Sequence, residues 1–453
     1  MIQSINPANG EIFHSYNEMS ENEINDIIIS VEAELKHWQK TTFAERSRLM
    51  KSAAEILRKR KKEYARLMTL EMGKTFVQAE AEVEKCAWAC DYFAENSIQF
   101  LKDELIQTDA SKSFVTYQPL GVVLAIMPWN FPFWQVIRFA APNLMAGNAG
   151  VLKHASNVTG TALALEQIFR DAGFPENLFR TLILSSKNVE KVIKNEKIAA
   201  VTLTGSVQAG RSVAKIAGEQ LKKTVLELGG SDPYIILDDA DLEKAADTCV
   251  TSRLINGGQS CIAAKRFIIV EKVYDEFENL FVQKMKAKKM GDPFDEVDLG
   301  PQARTDLRDE LHKQVLKSIE KGAKVLSGGE IPNIKGAYYP PTVLANVKRG
   351  MPAYEEEMFG PVAALIKAAD EDDAIRIAND SNFGLGAAVF TGDLKKGEEI
   401  AAKKLFAGNC FVNSFVKSDP RLPFGGVKES GYGRELSVFG IREFVNIKTV
   451  YIQ

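Results

Sequence analysis

Four stretches constrain this chain more than anything else in it: GVVLAIMPW (121–129), AGVLKHA (149–155), AAVTLTG (199–205) and KKTVLELGG (222–230). The first is a continuous apolar run, and the strands as a set are apolar on two sides instead of alternating, so each must be covered on both faces. Helical segments separate them, among them TGTALALEQIFRDAG (159–173), which closes on Gly173, and another from about residue 207. Two-sided apolar strands alternating with helices imply a parallel sheet sandwiched between helical layers. From Ser231 the pattern restarts with PYIILDDAD, a helix, RFIIVEKV and a long polar helix, which predicts a second α/β lobe. A length of 453 residues exceeds what one core usually fills. Residues 20–100 have a helical apolar period. SKSFVTYQP (111–119) reads as an extended ribbon, and the terminal EFVNIKTVYIQ alternates as a strand whose partner is either another chain or that ribbon. The fold class is α/β, with two interwoven parallel lobes and a small β extension.

Several classes of function are excluded early. The net charge of −3, with signs interleaved, offers no footprint for nucleic acid or anionic lipid. MIQSINPANGEIF lacks the basic and apolar regions of a signal peptide, and no run of about eighteen apolar residues predicts a membrane span. Five scattered cysteines suit a reducing, cytoplasmic setting better than a disulfide frame. Cys86 and Cys90, four apart on a helical pattern, read as core.

The chemistry concentrates in four places. GGQSCIAAKR (257–266) sets Cys261 behind two glycines, with none of the four histidines within ten residues. Cys261 is therefore either a small buried hydrophobe or a nucleophile supported by something other than histidine. TGSVQAG (204–210) is a strand-to-helix turn that can offer backbone N–H groups to a phosphate, although such turns also merely connect βα units. It is not the GxGxxG fingerprint. MPWNFPFWQ (127–135) holds Asn130 between two prolines, either to donate to an oxyanion or to bond its own turn. LELGGSDP (226–233) places Glu227 among apolar neighbours, as a base of raised pKa or as a solvent-facing strand end.

Taken together, Pro-Trp-Asn, Glu-Leu-Gly-Gly and Gly-Gln-Ser-Cys, in that order and spacing, resemble the aldehyde dehydrogenase superfamily. EEMFGPV (356–362) and LPFGGVKESGYGRE (422–435) extend the resemblance from about residue 5 to the end. It implies that Cys261 is the nucleophile, that Asn130 and the Cys261 N–H hold the oxyanion, and that Glu227 activates water against a thioester. It places Lys153 at the adenosine ribose, Glu357 at the nicotinamide ribose, Phe359 beside the nicotinamide, Trp129 beside the tunnel, and Gly205 with Ser206 at the pyrophosphate. Ser156 stands where NAD-preferring relatives often carry an acid, so the cofactor is NADP or NAD, leaning to NADP, with no metal. The resemblance also implies a cofactor-binding domain (1–97 and 120–229), a catalytic domain (230–435), and an oligomerisation extension (98–119 and 436–453) that builds a homodimer or homotetramer.

VLKHASNVTGTA and SDPRLPFGGVKESGYGREL resemble the bacterial succinate-semialdehyde dehydrogenase branch in particular. Arg138, eight residues after Asn130, would then meet the substrate carboxylate. Ile255 replaces a second arginine of some relatives, leaving Ser418 as the helper, with Lys417 and Arg421 as other candidates. Ala263 removes the neighbouring cysteine of some relatives and hence a local disulfide switch. The alternatives are glutarate semialdehyde or simple aliphatic aldehydes as substrates, a coenzyme A-acylating variant of the same thioester chemistry, or a non-enzymatic protein on this fold.

Overall fold

The computed structural model describes residues 1–453. Residues 20–100 form four helices, Glu21–Trp38, Phe43–Lys59, Lys61–Met72 and Phe76–Phe100. The first two start with reciprocal caps, in which Ser20 with Glu23 and Thr42 with Glu45 satisfy each other's open N–H groups. Gly73 ends the third in the left-handed region.

The first sheet runs Gly431–Tyr432, Lys223–Glu227, Ile198–Thr204, Val122–Met127, Ala149–His154, Phe179–Thr181. Its last five strands are parallel, as the apolar runs predict. Strand order reverses beside Val122–Met127, the first of the five in the chain. Connections therefore leave Val122–Met127 and Ile198–Thr204 in opposite directions, and a crevice opens at their carboxyl ends. The Trp129–Asn130 turn and the Gly205–Ser206 turn both emerge there. Its edge strand, Gly431–Tyr432, arrives from far along the chain and pairs antiparallel, Gly431 opposite Glu227.

The second sheet is Lys324–Ser327, Thr342–Ala345, Val362–Ala368, Arg266–Val270, Pro233–Ile236, Gly386–Phe390, Asn409–Val412, parallel except for the first strand. Period-two side-chain alternation splits its apolar residues between two cores. Ile235, Ile268 and Val389 enter one, and Tyr234, Phe267 and Ala388 the other. RFIIVEKV is strand only to Val270, and its polar end turns into a short 3-10 helix, Glu271–Val273.

The terminal strand Val445–Ile452 pairs antiparallel with Lys112–Pro119 of the same chain, so the ribbon is its partner. Glu104–Leu105 completes this third sheet, which leaves Leu105, Ile447 and Tyr451 exposed. No helix is long and apolar enough to cross a membrane.

Candidate active site

Cys261 follows a short 3-10 segment, Ile255–Gly258, in which Asn256, Gly257 and Gly258 all take positive φ. Asparagine and glycine are the residues that tolerate this backbone. At Gly258 there is a second reason, since an added Cβ would lie 2.3 Å from the Gly360 carbonyl carbon. The cysteine loop thus packs directly on the EEMFGPV segment. Lys265, fully buried, donates from Nζ to the Ser260 carbonyl at 2.8 Å and the Cys261 carbonyl at 2.6 Å. It also faces Glu357 at 3.5 Å. A single ammonium therefore fixes the backbone that carries the thiol.

Asn130 is buried, and its Nδ2 donates to the Gln259 carbonyl at 3.1 Å. Its own carbonyl accepts from Asn256 Nδ2 at 2.7 Å. The Pro-Trp-Asn-Phe-Pro turn is tied down by His154, whose Nε2 bonds the Pro132 carbonyl at 2.9 Å while Nδ1 accepts the Ala155 N–H at 3.0 Å. Burial pushes the His154 pKa down to about 4, so the ring serves as a neutral brace. Glu82 holds the other side by accepting the Phe133 and Trp134 N–H groups, both at 2.9 Å, while paired with buried Lys74.

Cys261 lies on the wall shared by two cavities. One, of about 330 Å³, occupies the crevice of the first sheet and is lined by Trp129, Asn130, Thr204, Gly205, Ser206, Glu357 and Phe359. Trp129 and Phe359 meet edge-on with centroids 5.7 Å apart. Ser206 caps helix Val207–Glu219 by accepting the Ala209 N–H. Glu357 accepts the Gly230 N–H at 2.9 Å, and an added Cβ at Gly229 would lie 2.5 Å from its carboxylate. Two aromatic rings, a helix N-terminus, an acid suited to ribose hydroxyls and the unpartnered Oδ1 of Asn130 fit a nicotinamide dinucleotide. Lys153 and Ser156 lie outside this cavity, at the carboxyl end of strand Ala149–His154, with Lys153 buried and Ser156 exposed.

The second cavity, of about 540 Å³, is lined by Phe131, Trp134, Arg138, Cys261, Ser418 and Phe424, among others. Arg138 is buried in helix Trp134–Met145, where its Nε pairs with Glu435 and its guanidinium covers Phe424 at 4.9 Å. Ser418 is buried and receives Lys85 Nζ at 2.8 Å. Lys417, Ile255 and Ala263 also line this cavity. Arg421 does not, being bound to Asp419 at 2.6 Å in a loop ion pair.

Glu227 lines neither cavity. Its carboxylate is buried without a hydrogen-bond partner and packs on Gly425, where an added Cβ would lie 2.8 Å from Oε1. Burial, reinforced by Glu435, pushes its pKa well up, against the pull of Arg138 and Arg434. Burial likewise drives the Cys261 thiol up to about 12, opposed by Lys265 and Arg138 and helped by Glu357 and Glu227. The Cys261 thiol therefore holds its proton at neutral pH.

The sequence reading passed over Lys265, His154, Glu82, Lys85 and Glu435. Only Glu82 and Lys85 carried a signal, standing three apart on a helical pattern with Gln78 and Ala81 on one stripe.

Over residues 1–450 the chain matches the aldehyde dehydrogenase family, and it belongs to that family of oxidoreductases. It is 48% identical over 452 residues to a protein of Synechocystis sp. named probable succinate-semialdehyde dehydrogenase [NADP(+)], covering 100% of this chain and 99% of that one. It is 49% identical over 456 residues to the succinate-semialdehyde dehydrogenase [NADP(+)] of Mycobacterium avium, covering 100% and 96%. Among solved structures it resembles the succinic semialdehyde dehydrogenase of Streptococcus pyogenes in complex with NADP+, at a TM-score of 0.98 and 39% identity with both chains covered in full.

Proposed function

We propose that this protein oxidises succinate semialdehyde to succinate with NADP as the preferred electron acceptor and NAD as a second. The observation that carries the reading is one cavity lined by Cys261 together with Arg138, Lys85 and Ser418, with Lys85 Nζ on Ser418 Oγ. That is the form a site needs to accept a short aldehyde with a carboxylate at its far end. Relatives named for that activity span the whole chain.

In this reading the Cys261 thiol gives its proton to water and Sγ adds to the aldehyde carbon, giving a thiohemiacetal. The Asn130 amide and the Cys261 N–H hold the oxyanion, and losing one such donor costs about a hundred- to a thousand-fold in rate. The bound dinucleotide supplies the hydride acceptor. Trp129, Gly205, Ser206, Glu357 and Phe359 hold it, with Lys153 and Ser156 at its adenosine end. Ser156, small and uncharged, leaves room there for a 2′-phosphate near the Lys153 ammonium. The resulting Cys261 thioester is cleaved by water from which Glu227 takes a proton. To do so its side chain rotates from Gly425 toward the thiol, and the carboxyl must first be ionised.

The reading extends to assembly and location. Residues 1–97 and 120–229 form the cofactor unit and 230–435 the catalytic unit. The exposed apolar side chains of the three-stranded sheet, built from 98–119 and 436–453, join subunits into a homodimer or homotetramer. A cytoplasmic location accords with five unpaired cysteines.

The test compares initial rates on succinate semialdehyde and butanal, each with NADP and NAD, below saturation. The reading expects a large advantage for succinate semialdehyde with NADP. Equal rates on the two aldehydes would refute the carboxylate-binding cavity, and glutarate semialdehyde, run as a third substrate, would replace succinate semialdehyde if it reacted faster.

A further inference from the structure

The cavity beyond Cys261 is lined by four cations, Lys85, Arg138, Lys288 and Lys417, and their charges are not equally available. Arg138 is paired with Glu435, and its NH2 donates to Thr204 Oγ1 at 3.3 Å. Lys288 is paired with Asp298 at 3.0 Å. Lys417 is exposed, where water screens its charge. Lys85 differs from all three. It projects from helix Phe76–Phe100 on the stripe formed with Gln78, Ala81 and Glu82, is half-buried, and makes no ion pair. Its only hydrogen bond goes to Ser418 Oγ, and its ammonium stands 4.2 Å over the Trp134 ring.

The acids that could neutralise it are engaged elsewhere. Glu82, one turn away, is held by Lys74 and by the Phe133 and Trp134 N–H groups. Asp419 is held by Arg421. An uncompensated, partly buried cation is costly unless an anion completes it, and the missing anion must come from outside the chain.

We propose that Lys85 is a substrate-binding, specificity-determining residue, taking the substrate carboxylate on its ammonium together with the Ser418 hydroxyl and the remaining N–H groups of Arg138. This rests on the succinate-semialdehyde reading. Arg138 and Glu435 form a neutral unit, so Lys85 supplies the net positive charge that separates a carboxylate-bearing aldehyde from an uncharged one. Burial and the Arg138 charge pull the Lys85 pKa down to about 8, with Cys86, Glu82 and Asp419 pulling the other way. The free enzyme accordingly carries this charge at neutral pH and loses it in mildly alkaline solution.

The test measures kcat and KM for succinate semialdehyde and butanal in the wild-type enzyme, Lys85→Met and Lys85→Arg. The Met variant is expected to lose about 10- to 100-fold of the wild-type preference for succinate semialdehyde, through KM, the size of one charged hydrogen bond. The Arg variant recovers part of it. In the wild type, KM for succinate semialdehyde climbs above about pH 8, and in the Met variant that climb is absent. If the wild type prefers succinate semialdehyde and Lys85→Met keeps that preference, Lys85 is not its source and the substrate reading stands. Parallel losses on both aldehydes would make Lys85 structural and overturn the proposal. A wild type without any preference would instead refute the substrate reading on which the proposal rests.

Discussion

Replacing Lys265 by Met removes the ammonium beneath Cys261 while keeping the stem that fills its place. The lost interactions are two hydrogen bonds, at 2.8 and 2.6 Å, to the carbonyls on either side of the Ser260–Cys261 step, and the 3.5 Å pairing with Glu357. Stripping one partner from a fully buried ion pair costs about 3–5 kcal/mol, and the partial exposure of Glu357 brings that down. Glu357 keeps its Gly230 N–H, which argues for the lower end. If about 2.7 kcal/mol of that loss reaches the transition state through a loosened cysteine loop, kcat/KM falls about a hundredfold. The same ammonium opposes the rise of the Cys261 pKa, so removing it makes the thiol harder to ionise. Steady-state kinetics, apparent melting temperature and iodoacetamide alkylation of Cys261 between pH 7 and 10 would be measured in parallel. The variant should melt earlier, turn over about a hundredfold more slowly and alkylate more slowly at every pH. A kcat/KM within threefold of wild type, with unchanged alkylation, would refute the claim that Lys265 positions the nucleophile.

Three further outcomes are expected. In the cofactor-free enzyme the Cys261 alkylation rate should rise about tenfold per pH unit from pH 7 to 10, since its pKa of about 12 lies above that range; a plateau near pH 9, as for an ordinary thiol of pKa about 8.5, would count against it. Glu227→Gln should give a burst of reduced cofactor followed by a slow steady state, and the wild-type steady state should quicken as pH rises, because a carboxyl of raised pKa gains its basic form in that direction. An unchanged steady state in the variant would remove Glu227 from thioester hydrolysis. Ser156→Glu should shift the NADP-to-NAD ratio of kcat/KM toward NAD by at least tenfold through like-charge repulsion, and an unmoved ratio would sink the assignment of the 2′-phosphate site.

The fold was legible wherever a local pattern carried it. Apolar strands separated by helices announced parallel sheets, and the alternating tail announced a strand. The sequence left two partners open for that strand, and in the fold it pairs with Lys112–Pro119. The site was legible as motifs, because Cys261, Asn130 and Glu357 each sit beside glycines or prolines whose geometry is encoded nearby. What escaped were the groups that act across long separations. Lys85 meets Ser418, Arg138 meets Glu435, and His154 braces a turn 22 residues earlier. No short-range pattern marks such pairs: Arg138 and Ser418 stand near legible motifs and Lys85 on a helical stripe, but nothing local ties any of them to its partner. Glu227 has apolar neighbours in sequence and is buried, but its packing on Gly425 near Arg434 and Glu435 depends on a segment about 200 residues later.

That late segment bears on how the enzyme is made. A ribosome releases Asn130, Glu227 and Cys261 well before Phe424, Gly431–Tyr432 and Glu435, which close the substrate wall, edge the first sheet and neutralise Arg138. At roughly 5–20 residues per second the interval is on the order of ten seconds. Through that interval the nascent polypeptide carries its thiol without the enclosure that would put it to use. Synthesis that stops short of Phe424 therefore leaves Cys261 without this wall, and the cavity takes shape only once that segment has been made.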